Sequence, residues 1–213
     1  MQHRYVILPH GASMGSGYGP IVVATEELSL DDLRGLEIAV PGRMTTAFLA
    51  LRLCLGGEFA YREVPFDEII AEVKSGAARA GLLIHEGQLT YAQQGLRKIV
   101  DLGEWWLLET GLPLPLGINV ARRDLGDDAL LRLSDVLAAS IEAGLDHRPQ
   151  ALRYAMRFGR GLDPTLTDRF VGMYVNRLTQ DYGDEGRKAV AELLSRAEQA
   201  GALERPVRVE FVG

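Results

Sequence analysis

A strand, a turn and a helix start follow one another in Leu36-Glu37-Ile38-Ala39-Val40-Pro41-Gly42-Arg43-Met44-Thr45-Thr46-Ala47-Phe48. Leu36–Val40 is predicted to be a short buried strand, and the apolar run after Thr45 a helix that ends at Gly56-Gly57. The free N–H groups of a first helical turn, together with the helix dipole, favour a negative charge. We therefore expect a site for a small acidic ligand, with hydroxyls from Thr45 and Thr46 and a positive charge from Arg43. The alternative is that Thr45 only caps the helix.

Composition narrows the class of protein. The chain has 213 residues, of which 47% are hydrophobic and 24% charged, as is typical of a soluble globular protein. The net charge of -6 and the pI of about 5.3 argue against a nucleic-acid partner, which would require a basic face. No apolar run is long enough to span a membrane, and the first ten residues lack the apolar segment of a secretory signal. The single cysteine, Cys54, stands among leucines and is predicted to be a buried structural thiol, so we expect a cytoplasmic protein.

Strands and helices alternate from Leu36 to a strand near Lys98–Leu102, which predicts an α/β unit with a largely parallel sheet, extending from about Thr25 to Gly117. Extended crossings flank this unit near Tyr18–Ala24 and Leu116–Arg122, and the chain beyond them is mainly helical. Two lobes joined by two crossings are typical of a periplasmic-binding-protein-like (type II) fold, in which ligands bind in a cleft between lobes. We assign residues 1–24 and 118–213 to the first lobe and residues 25–117 to the second, α/β lobe.

One histidine stands out among the four. His85 follows the apolar run Gly81–Ile84, which places it at the carboxyl end of a predicted central strand, where parallel α/β sheets bind ligands. A neutral imidazole there can accept a proton near neutral pH. The alternative is a hydrogen-bonded histidine without a chemical role. Glu86 is its neighbour, although adjacent residues on a strand point to opposite faces. The sequence has no metal-ligand spacing, so no metal site is predicted.

Five segments of the chain form an ordered set of motifs. They are Gly15-Ser16-Gly17-Tyr18-Gly19-Pro20, Val40-Pro41-Gly42-Arg43-Met44-Thr45-Thr46-Ala47, Leu83-Ile84-His85-Glu86, Asp101-Leu102-Gly103-Glu104-Trp105-Trp106 and Thr110-Gly111-Leu112-Pro113-Leu114-Pro115-Leu116-Gly117. Together they resemble the 1,4-dihydroxy-6-naphthoate synthase family of the futalosine route to menaquinone. Tyr174-Val175-Asn176, within a helix predicted over Asp168–Leu178, also fits. The resemblance covers nearly the whole chain.

The resemblance implies a lyase that converts cyclic dehypoxanthinylfutalosine to 1,4-dihydroxy-6-naphthoate and releases a sugar-derived fragment. The family's proton acceptor falls on His85, and its substrate-binding threonines fall on Thr45 and Thr46. The implied partner is a small aromatic carboxylate, and no cofactor is needed for such an elimination. Met44 departs from the family, which often has a polar residue at that position.

The family's first strand–helix–strand portion has no counterpart in this sequence. We therefore expect a first lobe that is incomplete at its N-terminus, with exposed edges that a homodimer would cover. Three alternatives stay open at this point: a non-catalytic protein of the same fold that binds small carboxylates, the related menaquinone-pathway dehydratase, and an enzyme whose first half-lobe lies on another polypeptide.

Overall fold

A computed structural model of the chain describes residues 2–158 and 163–213. The chain divides into two units. The first comprises Met1–Met14, Pro115–Glu192 and Pro206–Gly213, and the second comprises Gly15–Leu114 and Leu193–Arg205. The boundaries predicted from the sequence differ from these at residues 15–24, 115–117 and 193–205. The strand within residues 15–24 pairs with strands of the second unit.

The described strands are β1 (Tyr5–Ile7), β2 (Ser13–Gly15), β3 (Ile21–Ala24), β4 (Ile38–Val40), β5 (Tyr61–Glu63), β6 (Ala80–Leu83), β7 (Arg97–Asp101), β8 (Leu114–Gly117) and β9 (Val120–Arg122). The described α-helices are α1 (Leu30–Arg34), α2 (Thr46–Leu55), α3 (Ile69–Ser75), α4 (Gly87–Thr90), α5 (Leu102–Thr110), α6 (Asp127–Asp146), α7 (Arg148–Ala155), α8 (Pro164–Tyr174), α9 (Arg177–Gln180) and α10 (Gly183–Gln199).

The second unit contains a five-stranded sheet in the order β5-β4-β6-β3-β7. β4 runs parallel to β5 and β6, whereas β3 runs antiparallel to β6 and β7. The expectation of a largely parallel sheet therefore needs a correction, because β3 enters between β6 and β7 from the opposite direction. All residues of β3 and β6 are buried, and Ile69 and Val73 of α3 pack with them in one core cluster.

Helix α2 begins and ends where its sequence predicts. Thr45 is its N-cap, and Gly56 ends it in the left-handed conformation at φ 76°. Glycine adopts that conformation without the steric cost of a Cβ atom, and its N–H then bonds back to the last turn. The buried face of α2 includes Phe48, Leu51 and Cys54, so burial of this face stabilises the helix.

The first unit is held by β1, which pairs antiparallel with β9, and by the helices that follow. Val6 and Leu8 form a core cluster there with Leu130 of α6 and Val212. The predicted single helix over Asp168–Leu178 is wrong. α8 ends at Tyr174, and the Asn176 side chain accepts from the Leu178 N–H to cap the short helix α9. In the described residues, no helix combines the length and hydropathy that crossing a membrane requires.

Candidate functional site

Three loops of the second unit meet at one end of its sheet. Because β5, β4 and β6 are parallel neighbours in register, the segments that follow them leave the sheet at the same end. These segments are residues 64–68 after β5, 41–46 after β4 and 84–87 after β6. We call this the carboxyl end of the sheet, the place where open α/β folds commonly bind ligands.

Two further segments reach the carboxyl end because β3 is antiparallel. Ile21, the first residue of β3, pairs with Leu83 at the end of β6 and with Asp101 at the end of β7. The glycine-rich segment 15–20 and the start of α5 therefore lie there as well. A Cβ on Gly103 would come within 2.0 Å of the Tyr18 carbonyl oxygen, so only glycine allows this loop to pack on the helix. Five segments that are far apart in sequence thus share one location.

The predicted anion site follows β4, and the Thr45 hydroxyl in it already makes two local hydrogen bonds. Thr45 Oγ1 accepts a hydrogen bond from the Phe48 N–H at 3.1 Å and donates one to the Gly42 carbonyl at 2.8 Å. Thr45 is therefore the helix cap that the alternative interpretation expected, and these two bonds also shape the turn. Thr46 is half-buried and is the first residue of α2.

Arg43 and Met44 project from this turn. Both are exposed, and the Met44 side chain is 92% accessible. The backbone N–H of Arg43 donates to Glu63 Oε2 at 3.3 Å, which ties the turn to the end of β5. Because Arg43 is exposed, its guanidinium can reach a ligand at the carboxyl end of the sheet. Glu63 places a negative charge beside the same turn.

His85 lies at the end of the central strand, as predicted, and both of its ring nitrogens are hydrogen-bonded. The Gly87 backbone N–H lies 2.9 Å from Nδ1, and Nε2 lies 2.9 Å from the Phe66 carbonyl oxygen. A backbone N–H can only donate, so Nδ1 must be the unprotonated nitrogen. Nε2 then carries the proton and donates it to Phe66. The backbone contacts thus select one neutral tautomer.

Glu86 faces the same imidazole. Its Oε2 lies 3.8 Å from His85 Nδ1, and the two side chains are 22% and 15% exposed. The expectation that the two side chains point to opposite faces is wrong, because β6 ends at Leu83 and residues 84–87 turn into α4. A charged partner is therefore in place for a protonated ring.

Phe66 and Gly87 are the site residues that the sequence did not predict. Gly87 is buried, and a Cβ there would lie 2.6 Å from His85 Cε1. A glycine two residues after His85 was the one feature of the sequence that could have indicated a close approach of the backbone to the imidazole. Phe66 contributes a backbone carbonyl that any residue type provides, so no side-chain pattern could have identified it.

Two buried ionisable groups lie in the same unit. Asp101 caps α5 by accepting from the N–H groups of Gly103 and Glu104, and burial raises the pKa of its carboxyl above the usual range despite those two bonds. Burial raises the pKa of the Cys54 thiol to about 11, which disfavours the reactive thiolate. Among the residues that the structure describes, no group of three His, Cys, Asp or Glu side chains is placed to hold a metal ion.

Comparisons with known proteins identify the family of this chain. A family model described as menaquinone biosynthesis matches residues 1–199. Enzymes named 1,4-dihydroxy-6-naphthoate synthase from Streptomyces coelicolor and Thermus thermophilus are each 42% identical to this chain. The matches cover 93% of this chain and 72% of the Streptomyces enzyme, and 100% of this chain and 77% of the Thermus enzyme.

Solved structures support the same fold class. A crystal structure of an Archaeoglobus fulgidus protein superimposes with a TM-score of 0.88 at 44% identity, covering 94% of this chain and 74% of that one. The periplasmic aliphatic sulphonate-binding protein of Escherichia coli matches with a TM-score of 0.63 at 14% identity, over 95% of this chain and 67% of its own. At 14% identity, the similarity to the Escherichia coli protein concerns the fold alone. It confirms the predicted periplasmic-binding-protein-like architecture.

Proposed function

Because the chain belongs to the menaquinone biosynthesis family, we propose that it is a lyase that converts cyclic dehypoxanthinylfutalosine to 1,4-dihydroxy-6-naphthoate. One observation of the site carries the proposal. An imidazole with an unprotonated Nδ1 stands at the carboxyl end of the sheet, among four of the segments that resemble the synthase family.

His85 acts as the general base in this proposal. Nδ1 takes a proton from a carbon of the substrate, and the electron pair left behind expels the sugar-derived fragment as the second aromatic ring forms. The Phe66 carbonyl keeps the proton on Nε2, so that Nδ1 is the basic nitrogen before the reaction. Nδ1 must release the Gly87 N–H to accept the substrate proton, since its single lone pair cannot serve both.

Substrate binding is assigned to the turn after β4. The substrate is an aromatic carboxylate, and the exposed Arg43 guanidinium can pair with its negative charge. Thr46 and the first-turn N–H groups of α2 supply further donors, and the helix dipole favours an anion there. Thr45 contributes by holding the turn and the helix start in place, because its hydroxyl bonds locally on both sides.

Turnover of the authentic substrate tests the proposal. Purified protein is incubated with cyclic dehypoxanthinylfutalosine, and the naphthoate is followed by chromatography. His85→Asn should lower kcat by about a thousandfold, since general-base catalysis contributes roughly 10²–10⁴. His147→Asn is the matched control, because His147 is exposed at the end of α6 in the other unit, and this change should leave the rate unchanged.

Three results would contradict the proposal in different ways. Full activity of His85→Asn would remove His85 as the base. Binding of the substrate without any product would favour the non-catalytic carboxylate-binding protein. Turnover of a different menaquinone intermediate by loss of water would favour the related dehydratase.

We also propose a cytoplasmic location and a homodimer. A single buried thiol fits a reducing compartment. Exposed apolar side chains on α6, among them Leu131 and Val136, offer a surface for self-association. Cell fractionation tests the location, and light scattering coupled to size exclusion tests the oligomeric state.

A further inference from the structure

Protonation of His85 leaves Nδ1 without its present partner. In the neutral ring, Nδ1 accepts the Gly87 N–H at 2.9 Å. Once Nδ1 carries a proton, two donors face each other there, and the bond to Gly87 is lost. The new Nδ1–H group then needs an acceptor, because a buried donor without one costs free energy. The Nε2–H bond to the Phe66 carbonyl is unaffected, so the ring stays anchored on its other side.

We infer that Glu86 is a positioning residue that accepts this Nδ1 proton in a hydrogen bond. The inference rests on the proposed role of His85 as the base. Glu86 Oε2 lies 3.8 Å from Nδ1, so a small rotation of either side chain brings the two atoms into hydrogen-bond range. The proton moves from a substrate carbon to Nδ1. The hydrogen bond from the Gly87 N–H to Nδ1 breaks, and an Nδ1–H···Oε2 hydrogen bond forms in its place. No other covalent bond of the protein changes.

The surroundings of Glu86 suit this role. The side chain is 22% exposed, and within residues 2–158 and 163–213 His85 is the one basic group in ion-pair range of its carboxylate. In the described part of the chain, the Glu86 carboxylate makes no cap hydrogen bond to α4. A partly buried negative charge that is aimed at a developing imidazolium stabilises the transition state more than the neutral ground state.

Glu86→Gln tests the inference, because glutamine keeps the size and an acceptor oxygen but removes the charge. The charge-assisted bond is about twice as strong as a neutral one. We therefore expect kcat to fall about tenfold with KM unchanged, the pattern of an interaction made only in the transition state. Glu86→Asp, which keeps the charge, should recover part of the loss. Glu27→Gln makes the same charge change at an exposed position of the same unit, and we expect wild-type kinetics from it.

A spectroscopic readout separates this inference from the proposed function. In ligand-free protein labelled with ¹⁵N-histidine, the neutral ring should show Nε2–H. After acidification, the His85 Nδ1–H proton should exchange with water more slowly in wild type than in Glu86→Gln, because the carboxylate holds it. Equal exchange, or wild-type kcat in folded Glu86→Gln, would overturn the role of Glu86. An active His85→Asn variant alongside slow Nδ1–H exchange would instead overturn the proposed base and leave the Glu86 contact standing.

Discussion

Gly87→Ala should displace the His85 imidazole without disturbing the rest of the sheet. An added Cβ would lie 2.6 Å from His85 Cε1, 3.1 Å from Nδ1 and 2.8 Å from Ile70 Cδ1, whereas ordinary contact begins at 3.4 Å. Ile70 is buried in the core and cannot easily retreat, so the ring has to shift by most of an ångström. A misplacement of about 1 Å can cost a hundredfold in rate, which corresponds to about 2.7 kcal/mol of transition-state stabilisation. Overpacking should lower the free energy of unfolding by about 1–3 kcal/mol.

The assay is kcat/KM with cyclic dehypoxanthinylfutalosine, together with urea unfolding of the same samples. Gly144→Ala is the matched control, because a Cβ on Gly144 in α6 meets nothing within 4 Å. That variant should keep the wild-type rate and gain about 0.8–1 kcal/mol from the better helix propensity of alanine. A folded Gly87→Ala protein with the wild-type kcat/KM would refute the argument that this contact holds the imidazole in position.

Two further predictions concern the ends of α2 and α5. Thr45→Ala should lower the free energy of unfolding by about 1 kcal/mol in urea titrations without ligand, because the cap on the Phe48 N–H is lost, whereas Thr45→Ser should keep most of it. A loss in Thr45→Ser as large as in Thr45→Ala would argue against the hydroxyl as the cap. Burial raises the pKa of Asp101 above 3.8 in the folded state, so the folded state binds this proton more tightly than the unfolded state does. The reference variant is Asp101→Asn, which keeps a capping oxygen but does not titrate. As the pH falls through the raised pKa toward 3.8, the free energy of unfolding of wild type should rise relative to that of Asp101→Asn. A difference between the two free energies of unfolding that does not change with pH would contradict this.

Local signals predicted the elements of the site well. The threonine cap and the Gly56 stop of α2 depend on backbone chemistry within one or two turns, so the sequence of that segment contains the information. The position of His85 at a strand end followed from the short apolar run before it. The single helix predicted over Asp168–Leu178 failed for the opposite reason. A continuous pattern concealed the break at Asn176, whose side-chain amide also bonds to the Met14 carbonyl, 162 residues away.

The sequence by itself determined the resemblance to a menaquinone-pathway family, the helix start at Thr45 and the choice of His85 as the candidate base. Only the tertiary structure decided that β3 enters the sheet antiparallel and brings the glycine-rich segment to the carboxyl end. It also decided which nitrogen of His85 is basic. That choice depends on the Phe66 carbonyl, which lies 19 residues away in sequence, and on the direction of one backbone N–H. Backbone groups are the same in every residue type, so their contacts emerge only when the chain has folded.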